Sequence, residues 1–273
     1  MKIFKNFIFH CLLKLGYSIV GKKKLVKHNS FDAIHSYLVS NFLKMGSDIT
    51  IFDVGANEGD SIKRFRSLFK KSKIHSFEPT NELILKIKKK FDLTDVKLNN
   101  FALGEKKAKR KFFLYNAHRV NSFYPMEENS KYKLQRSRGN LENQNSKEVE
   151  VNTIDDYCKT NKIDKINLLK IDTQGSESEV LRGAKNILDQ GLIDIIELEY
   201  IFGIAHKGAN SLYEIEETLG TRGYKLIAVE NAGNIISFSN YQTNLIYVRK
   251  LIYDKIKSFH EKNIDVKDVT YSV

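Results

Sequence analysis

The sequence is short of the residues that cross-link, stiffen or anchor a chain. Its 273 residues include no tryptophan, two prolines and two cysteines, and Cys11 and Cys158 lie far apart without metal-ligand spacing. A protein without disulfides in a reducing cytoplasm is therefore expected. The longest uncharged run near the N-terminus, residues 6–13, is too short to span a bilayer, and no small-residue cleavage site follows it.

Acidic residues are also in the minority, with 33 against 45 lysines and arginines and a formal net charge of +12. This excess favours anionic partners such as nucleic acid, an anionic membrane surface or acidic glycans. A lysine-rich surface that only maintains solubility explains it equally well. Hydrophobic residues make up 41% and charged residues 29%, which is typical of a folded soluble protein.

Strand and helix patterns alternate along most of the chain. Predicted strands cover 48–54, 73–77, 95–98, 166–172, 193–199, 225–229 and 244–248, and predicted helices cover 60–71, 81–91, 176–188 and 211–222. The alternation predicts an α/β fold with a mostly parallel seven-stranded sheet. A turn signal at 231–234 joins the last two strands and predicts an antiparallel last strand.

The remaining segments set the domain boundaries. We predict an N-terminal helical extension at 1–46, a main domain at 47–250 and a charged C-terminal tail at 251–273. The extension carries apolar residues at helical spacing, ending at Phe42, and is interpreted as a helix that caps the domain. A basic amphipathic helix lying on anionic lipid at the inner membrane face is the alternative.

A polar insertion at 105–150 interrupts the main domain. Loops of this length are usually functional, so the insertion predicts a lid over a binding site. Its basic and aromatic side chains suit an anionic sugar or RNA. The lid candidates are Arg119, Ser122, Tyr124, Tyr132, Arg136 and Arg138.

The first candidate ligand-binding motif follows the first predicted strand, at 53–59. Gly55 and Gly59 allow the backbone to turn tightly and approach a ligand. Asp53 and Glu58 would repel a pyrophosphate, and Asn57 stands where a dinucleotide fingerprint has glycine. The motif therefore favours a cationic ligand and argues against an NAD enzyme.

The next two strands end in polar residues at the same sheet edge. Glu78 follows Asp53 by 25 residues, and in Rossmann-type sites an acidic residue about 20 residues on binds the ribose diol. Asn100 follows the third strand, where it can face an adenine edge, and an ordinary turn role is equally open. The predicted ribose and adenine contacts are Glu78, Pro79, Asn100, Phe101 and Ala102.

The fourth predicted strand ends at Asp172, where open α/β sheets bind their ligands. Asp172 should therefore face the cofactor and the acceptor. Lys170 alternates with apolar neighbours and is expected to pair with an acidic residue in the sheet. Glu177 falls in the first turn of the next helix, where interaction with the helix dipole is the simplest role.

Taken in order, these motifs resemble the FkbM family of methyltransferases. The resembling runs are DVGANEG at 53–59, FEP at 77–79, ALG at 102–104, VNTID at 151–155, LKIDTQGSE at 169–177 and VLRGA at 180–184. The resemblance covers about 48–230. It implies a class I methyltransferase Rossmann-like fold, S-adenosylmethionine as methyl donor, and O-methylation of a sugar, polyketide or similar hydroxyl. The sulfonium and ammonium of that donor suit the acidic first motif.

The resemblance also assigns site residues. It gives a cofactor role to Asp53, Gly55, Asn57 and Glu78, and it places Asp172 and Glu177 in the active-site wall. The family commonly has glutamate where this chain has Gln174, which removes a base or salt-bridge partner. Gln174 is therefore not predicted to be a catalyst.

Methylation of a hydroxyl needs a base within hydrogen-bond reach. The predicted catalytic residues are Asp172, His206, just after the fifth strand, and Glu199, which shares a strand face with Glu197. His118 in the insertion is a further candidate, although surface roles suit both histidines. The carboxylates of Asp172, Glu197 and Glu199 lack the sequence spacing of a known metal-binding motif, so no metal site is predicted.

Two other functions stay open. An RNA methyltransferase would use the basic insertion, but the fourth strand ends in Asp-Thr-Gln-Gly rather than the Asn/Asp-Pro-Pro-Tyr/Phe of enzymes that methylate base amino groups. A non-catalytic binding or scaffold protein would keep the fold without turnover, and the intact cofactor motifs argue against it. The expected partner is a small-molecule or glycan acceptor, with an anionic one allowed.

Overall fold

The computed structural model describes residues 17–20, 24–27, 31–43, 48–127, 143–201, 206–230 and 242–263. They form two compact units, one within Met1–Gly46 and Lys250–Val273 and the other within Ser47–Arg249. The strands are β1 (Tyr17–Val20), β2 (Lys24–Lys27), β3 (Thr50–Val54), β4 (Lys73–Phe77), β5 (Val96–Asn99), β6 (Ala102–Leu103), β7 (Ala108–Tyr115), β8 (Asn143–Asn152), β9 (Ile166–Ile171), β10 (Ile193–Ile201), β11 (Lys225–Val229) and β12 (Gln242–Val248). The helices are α1 (Phe31–Leu38), α2 (Asp60–Leu68), α3 (Asn81–Lys90), α4 (Ile154–Asn161), α5 (Glu177–Arg182), α6 (Lys185–Asp189), α7 (Leu212–Gly220) and α8 (Lys250–Asn263).

The larger unit is built on a seven-stranded sheet in the order β11-β12-β10-β9-β3-β4-β5. Neighbouring strands from β10 to β5 pair in parallel, whereas β12 runs antiparallel to both β10 and β11. The predicted mostly parallel sheet with an antiparallel last strand is thus confirmed. In the register, Val54 lies opposite both Phe77 and Ile171, so β3, β4 and β9 end level at one edge.

The central strands are apolar along their whole length because both faces of the sheet are covered. All six residues of β9 and the first six of β10 are buried. Helix α5 contributes Val180 and Leu181 to this core, and α7 contributes Ile215 and Leu219. Parallel strands buried on both faces read as near-continuous hydrophobic runs, which is why the sequence pattern located them well.

The insertion contains more structure than the predicted lid. Strands β7 and β8 form a long antiparallel ladder, and β6 pairs in parallel with β8 to complete a three-stranded sheet. The sequence patterns at 109–114 and 149–151 indicate two short strands but no ladder between them. Only one face of this ladder is buried, and Phe112 and Val149 lie on it. The hydrophobic pattern of these strands in the sequence is therefore weak. The lid candidates Tyr132, Arg136 and Arg138 lie outside the described residues.

The smaller unit differs from the predicted helical extension. Before helix α1, strands β1 and β2 pair antiparallel, with Tyr17 opposite Lys27. The β-branched and aromatic residues of β1 favour a strand, and this preference overrides the helical interpretation there. Helix α1 continues into a π-helical turn at Val39–Leu43, whose Phe42 ring meets Phe259 of α8 edge-on.

Nothing in the described segments is a helix long and apolar enough to cross a bilayer. The N-terminal segment predicted as an alternative to contact lipid, 1–24, lies outside those segments except for 17–20 and 24. The cytoplasmic location and the lipid contact stay predictions.

Candidate cofactor and acceptor site

A cleft of about 330 Å³ opens where β3, β4, β9 and β10 end. Its size is within the range of small-molecule sites. One half is walled by the turns after β3 and β4, and the other by the loop after β9, the end of β10 and the insertion. We call these the cofactor half and the acceptor half.

The turn after β3 requires glycine. Gly55 has φ of 83°, and a Cβ atom added there would lie 1.9 Å from the carbonyl oxygen of Asp172. Gly59 also has φ of 83°, and its Cβ would lie 2.7 Å from the Phe91 ring. Gly55 lines the cleft, whereas Gly59 serves the packing of the turn against α3.

Glu78 is the buried carboxylate of the cofactor half. It is 5% exposed, and its two oxygens accept hydrogen bonds from the backbone N–H groups of Asn57, at 3.0 Å, and Thr80, at 2.8 Å. Burial raises the pKa of Glu78 to about 7, although these N–H donors lower it. The geometry holds the carboxylate in the cleft wall with lone pairs left for a diol.

The other predicted cofactor residues differ in whether they line the cleft. Pro79 and Ala102 line the cleft. Asn100 is exposed and does not line the cleft, and it donates its side-chain N–H to the carbonyl of Glu78 at 3.1 Å. Phe101 packs its ring against Phe77, with centroids 5.7 Å apart. Asn100 and Phe101 therefore support the wall rather than form it.

Asp53 lies beneath the cleft and is fully buried. It accepts hydrogen bonds from the hydroxyls of Ser61 at 2.6 Å and Ser76 at 3.2 Å, and its other oxygen lies 3.3 Å from the ammonium of Lys170. Its role in this structure is to hold β3, α2 and β9 together.

Lys170 links the two halves. Its ammonium also lies 3.4 Å from a carboxylate oxygen of Asp172 and 3.3 Å from the carbonyl of Gly55. Burial alone would lower the pKa of Lys170, but the surrounding carboxylates, Asp172 first, raise it above its ordinary value. The predicted pairing of Lys170 with an acidic residue is thus present twice, and the lysine is charged.

Gln174 joins the two carboxylates of the acceptor half. Its side-chain NH₂ donates to Asp172 at 2.9 Å and also to Glu199. Burial and the charge of Asp172 raise the pKa of Glu199 well above its ordinary range. Sequence reasoning set Gln174 aside, and its residue type gave no signal of this role.

Glu177 orders the loop after β9 instead of facing the cleft. Its carboxylate accepts hydrogen bonds from the backbone N–H and hydroxyl of Thr173 and from the N–H of Gly175, at 2.9–3.2 Å. Glu197 of β10 forms a bidentate salt bridge with Arg64, in which one N–O distance is 2.8 Å. The predicted face shared by Glu197 and Glu199 therefore carries one structural and one cleft carboxylate.

The two candidate histidines differ in position. His118 lines the cleft. His206 is 2% exposed behind the lid, and its Nδ1 lies 3.1 Å from the carbonyl of Tyr124. Burial lowers the pKa of His206 to about 4, so the ring is neutral at physiological pH. The structure does not bring His206 to the acceptor half with Asp172. Asp172, Glu199 and His118, which all line the cleft, remain the candidates for the base.

The insertion is fastened to the loop after β9. The hydroxyl of Ser122 donates to the carbonyl of Gln174 at 2.7 Å and accepts from the N–H of Tyr124 at 3.1 Å. Tyr124 in turn donates its hydroxyl to Glu179. Arg119, by contrast, stands at the mouth of the cleft, 3.5 Å from Asp60. No group of acidic, histidine or cysteine side chains suited to a metal occurs in the part of the chain that the structure describes.

Comparison with known proteins identifies this architecture. The family model of the methyltransferase FkbM domain matches residues 53–226, which include both halves of the cleft. The chain belongs to the FkbM methyltransferase family. The 2-O-methyltransferase NoeI of Sinorhizobium fredii (strain NBRC 101917 / NGR234) is 26% identical over 164 residues, which cover 57% of this chain and 64% of NoeI. The chain thus spans slightly less than two thirds of that relative.

Solved structures show weaker similarity. A methyltransferase FkbM from Methylobacillus flagellatus KT has 14% identity and a TM-score of 0.49, covering 77% of this chain and 47% of that one. The precorrin-6y C5,15-methyltransferase of Geobacter metallireducens GS-15 has 13% identity and a TM-score of 0.40, covering 86% and 94%. The sheet described above, with its strand order and single antiparallel strand, is that of a class I methyltransferase.

Family membership makes S-adenosylmethionine the cofactor, and the residues present fit it. The cofactor half offers the Glu78 carboxylate for a diol and apolar walls at Val54 and Leu103. The side-chain oxygen of Asn57 is buried there without a hydrogen-bond partner among the described residues, as expected of an acceptor for ligand N–H or O–H groups.

Proposed function

We propose that this protein transfers the methyl group of S-adenosylmethionine to a hydroxyl of a sugar, glycan or related small metabolite. The observation that carries the proposal is that Asp172 and Glu199, joined by Gln174, line the same cleft as Glu78. A carboxylate base beside a cofactor site suits an oxygen acceptor, which must lose a proton as it is methylated. The 2-O-methyltransferase relative supports an acceptor of this class.

Glu78, Asn57 and the apolar wall would hold the cofactor. When bound, S-adenosylmethionine supplies an electrophilic methyl group on a positively charged sulfur. The carboxylates of Asp172 and Glu199 leave the floor of the cleft acidic, which favours a cation there. The buried residues around them exclude water and strengthen this attraction.

Asp172 is the base in this proposal. The Lys170 ammonium and the Gln174 NH₂ group stabilise its charged form, while burial raises the pKa of the neighbouring Glu199. Asp172 is about one third exposed, so an acceptor hydroxyl entering from the mouth can reach it. It removes the hydroxyl proton as the new bond to oxygen forms, and Gln174 keeps its carboxylate in place.

Calorimetric titration with S-adenosylmethionine and S-adenosylhomocysteine tests the cofactor. We expect micromolar binding to the wild type and clearly weaker binding to Glu78→Ala. Glu82→Ala is the matched control, because Glu82 is an exposed carboxylate on the neighbouring helix that pairs with Lys147. No binding to folded wild-type protein would contradict the proposal.

Release of S-adenosylhomocysteine during incubation with neutral and acidic glycosides then tests methyl transfer. Turnover with at least one hydroxyl-bearing acceptor supports the proposal. Binding of the cofactor without turnover on any glycan, metabolite or RNA acceptor would favour the non-catalytic alternative. Turnover on RNA alone would favour the nucleic-acid alternative.

A further inference from the structure

Three buried polar atoms in the acceptor half have no hydrogen-bond partner among the described residues. They are Nδ2 of Asn121, Oε1 of Gln174 and Oγ of Ser176. Their side chains line the cleft although the three residues are 8%, 7% and 1% exposed. A buried donor or acceptor that lacks a hydrogen-bond partner destabilises the folded state, so three in one cleft indicate a polar ligand.

The orientation of both amides is fixed by their other ends. The Asn121 carbonyl accepts the backbone N–H of Tyr115 at 2.8 Å, which turns its NH₂ group to the cleft. The Gln174 NH₂ group donates to Asp172 and Glu199, which leaves its carbonyl as the unpartnered end. The cleft therefore presents one donor, one acceptor and, at Ser176, one hydroxyl that serves as either.

An apolar wall accompanies these polar groups. The rings of Phe112 and Phe123 meet edge-on, with centroids 5.2 Å apart, and both line the cleft. Arg110 holds Phe123 from behind, with its guanidinium 4.2 Å from the ring centroid, and is itself paired with Glu179. A wall of this kind fits the C–H face of a sugar ring, whose hydroxyls can reach donors and acceptors at its edge.

The charges next to these groups disfavour an anion. Asp172 and Glu199 are the acidic groups beside Gln174. The cations that line the cleft are paired with carboxylates: Lys170 with Asp53 and Asp172, Arg64 with Glu197, and Arg119 at the mouth with Asp60. A phosphate or carboxylate held beside the reacting hydroxyl would therefore meet like charge without a matching cation.

We propose that Asn121, Gln174 and Ser176, with Phe123, form the acceptor subsite and select an uncharged sugar ring bearing at least two free hydroxyls next to Asp172. This inference rests on the proposed function and names its acceptor class. One hydroxyl faces Asp172 and reacts. A second hydroxyl is recognised by the amides and Ser176, which sets the position that is methylated.

Saturation-transfer NMR on the full chain with saturating S-adenosylhomocysteine tests the subsite. The probes are methyl glycosides of glucose, galactose, mannose, fucose and rhamnose, together with glucuronic acid and glucose 6-phosphate. We expect signals from at least one neutral glycoside and none from the two charged sugars. Ser176→Ala and Asn121→Asp should each weaken that binding about five- to tenfold, the size of one lost hydrogen bond. Asn121→Asp keeps an acceptor for the N–H of Tyr115 and replaces the NH₂ donor by a carboxyl oxygen.

Ser72→Ala is the matched control, because Ser72 is buried just before β4, at the opposite end of that strand from the cleft, and donates to the carbonyl of Phe69. Its glycoside signals should equal those of the wild type. Absence of neutral glycoside signals in the wild type, preference for a charged sugar, or equal binding in the Ser176 and Asn121 variants would each overturn the subsite. Binding of S-adenosylhomocysteine in the same samples separates these results from failure of the proposed function, which predicts that it binds.

Discussion

The two halves of the cleft are built by different means. In the cofactor half, backbone N–H groups fix the one buried carboxylate, Glu78, and the turn at Gly55 has no room for a side chain. In the acceptor half, side chains fix one another, as Gln174 holds Asp172 and Glu199. Backbone donors suit a ligand whose chemistry is constant, whereas a side-chain network can change its specificity by single substitutions without altering the fold.

Asp172→Asn should cause the largest loss, because it removes the proposed base and leaves its shape. We expect kcat to fall about 10²–10⁴-fold, the usual contribution of general base catalysis. Affinity for S-adenosylhomocysteine should change far less, because Glu78 belongs to the other half. Methyl transfer under single-turnover conditions and calorimetry measure the two effects separately.

Asp156→Asn serves as the control for this variant, since Asp156 is an exposed carboxylate that pairs with Lys107. Asp156→Asn should leave kcat and the affinity for S-adenosylhomocysteine unchanged. Equal losses of rate and cofactor affinity in Asp172→Asn would show that the two halves do not act separately.

Gly55→Ala tests the cofactor half through its backbone. The added Cβ would lie 1.9 Å from the carbonyl of Asp172 at a positive φ, so we expect a loss of about 3 kcal/mol in the free energy of unfolding. Gly191→Ala is the control, because Gly191 also has positive φ but no atom within 4 Å, and it should lose only about 1 kcal/mol. Chemical denaturation measures the free energy of unfolding of both variants. Equal losses in Gly55→Ala and Gly191→Ala would contradict the close approach of Gly55 to the carbonyl of Asp172.

The pH dependence of cofactor binding tests Glu78. A ribose diol donates to the ionised carboxylate, and the pKa of Glu78 is about 7, so binding should be strongest above pH 7. Between pH 8 and pH 6 the affinity for S-adenosylhomocysteine should fall about tenfold. Binding to Glu78→Gln should be weaker and nearly independent of pH over this range. A flat profile in the wild type would exclude Glu78 as the diol acceptor.

The same carboxyl has the opposite effect on the stability of the free protein. Because the pKa of Glu78 is raised in the folded protein, the protonated carboxyl group stabilises the folded state relative to the unfolded one. This contribution to the free energy of unfolding is full below the ordinary pKa of glutamate and is lost as pH rises through about 7. Cofactor binding and this part of the stability of the free protein thus change in opposite directions with pH.

The contrast between the halves also explains which parts of the site could be predicted from the sequence. Gly55 and Glu78 were found because turn chemistry and an approximate spacing after a buried strand are local signals. The parallel sheet was found for the same reason, since its strands are continuous apolar runs. The hairpin of β1 and β2 was missed because two short strands without a long apolar run resemble an irregular helix.

The acceptor half depends on contacts between distant segments, which residue types do not encode. Ser122 meets Gln174 across 52 residues, and nothing at either position indicates the other. Gln174 was set aside because its role depends on which carboxylates face it. His206 was predicted because it follows a strand at the correct edge, but the fold turns its ring to the back of the lid.

Ser122→Ala should give the smallest effect and the most specific one. The change leaves the carbonyl of Gln174 and the N–H of Tyr124 without their buried partner, which costs about 1 kcal/mol. Because this contact fastens the insertion to the loop after β9, KM for the acceptor should rise while affinity for S-adenosylhomocysteine stays at the wild-type value. Ser67→Ala, which removes an exposed hydroxyl bonded to the carbonyl of Arg64, is the control. If Ser122→Ala weakened cofactor binding as much as acceptor binding, the insertion would have to be regarded as part of both halves.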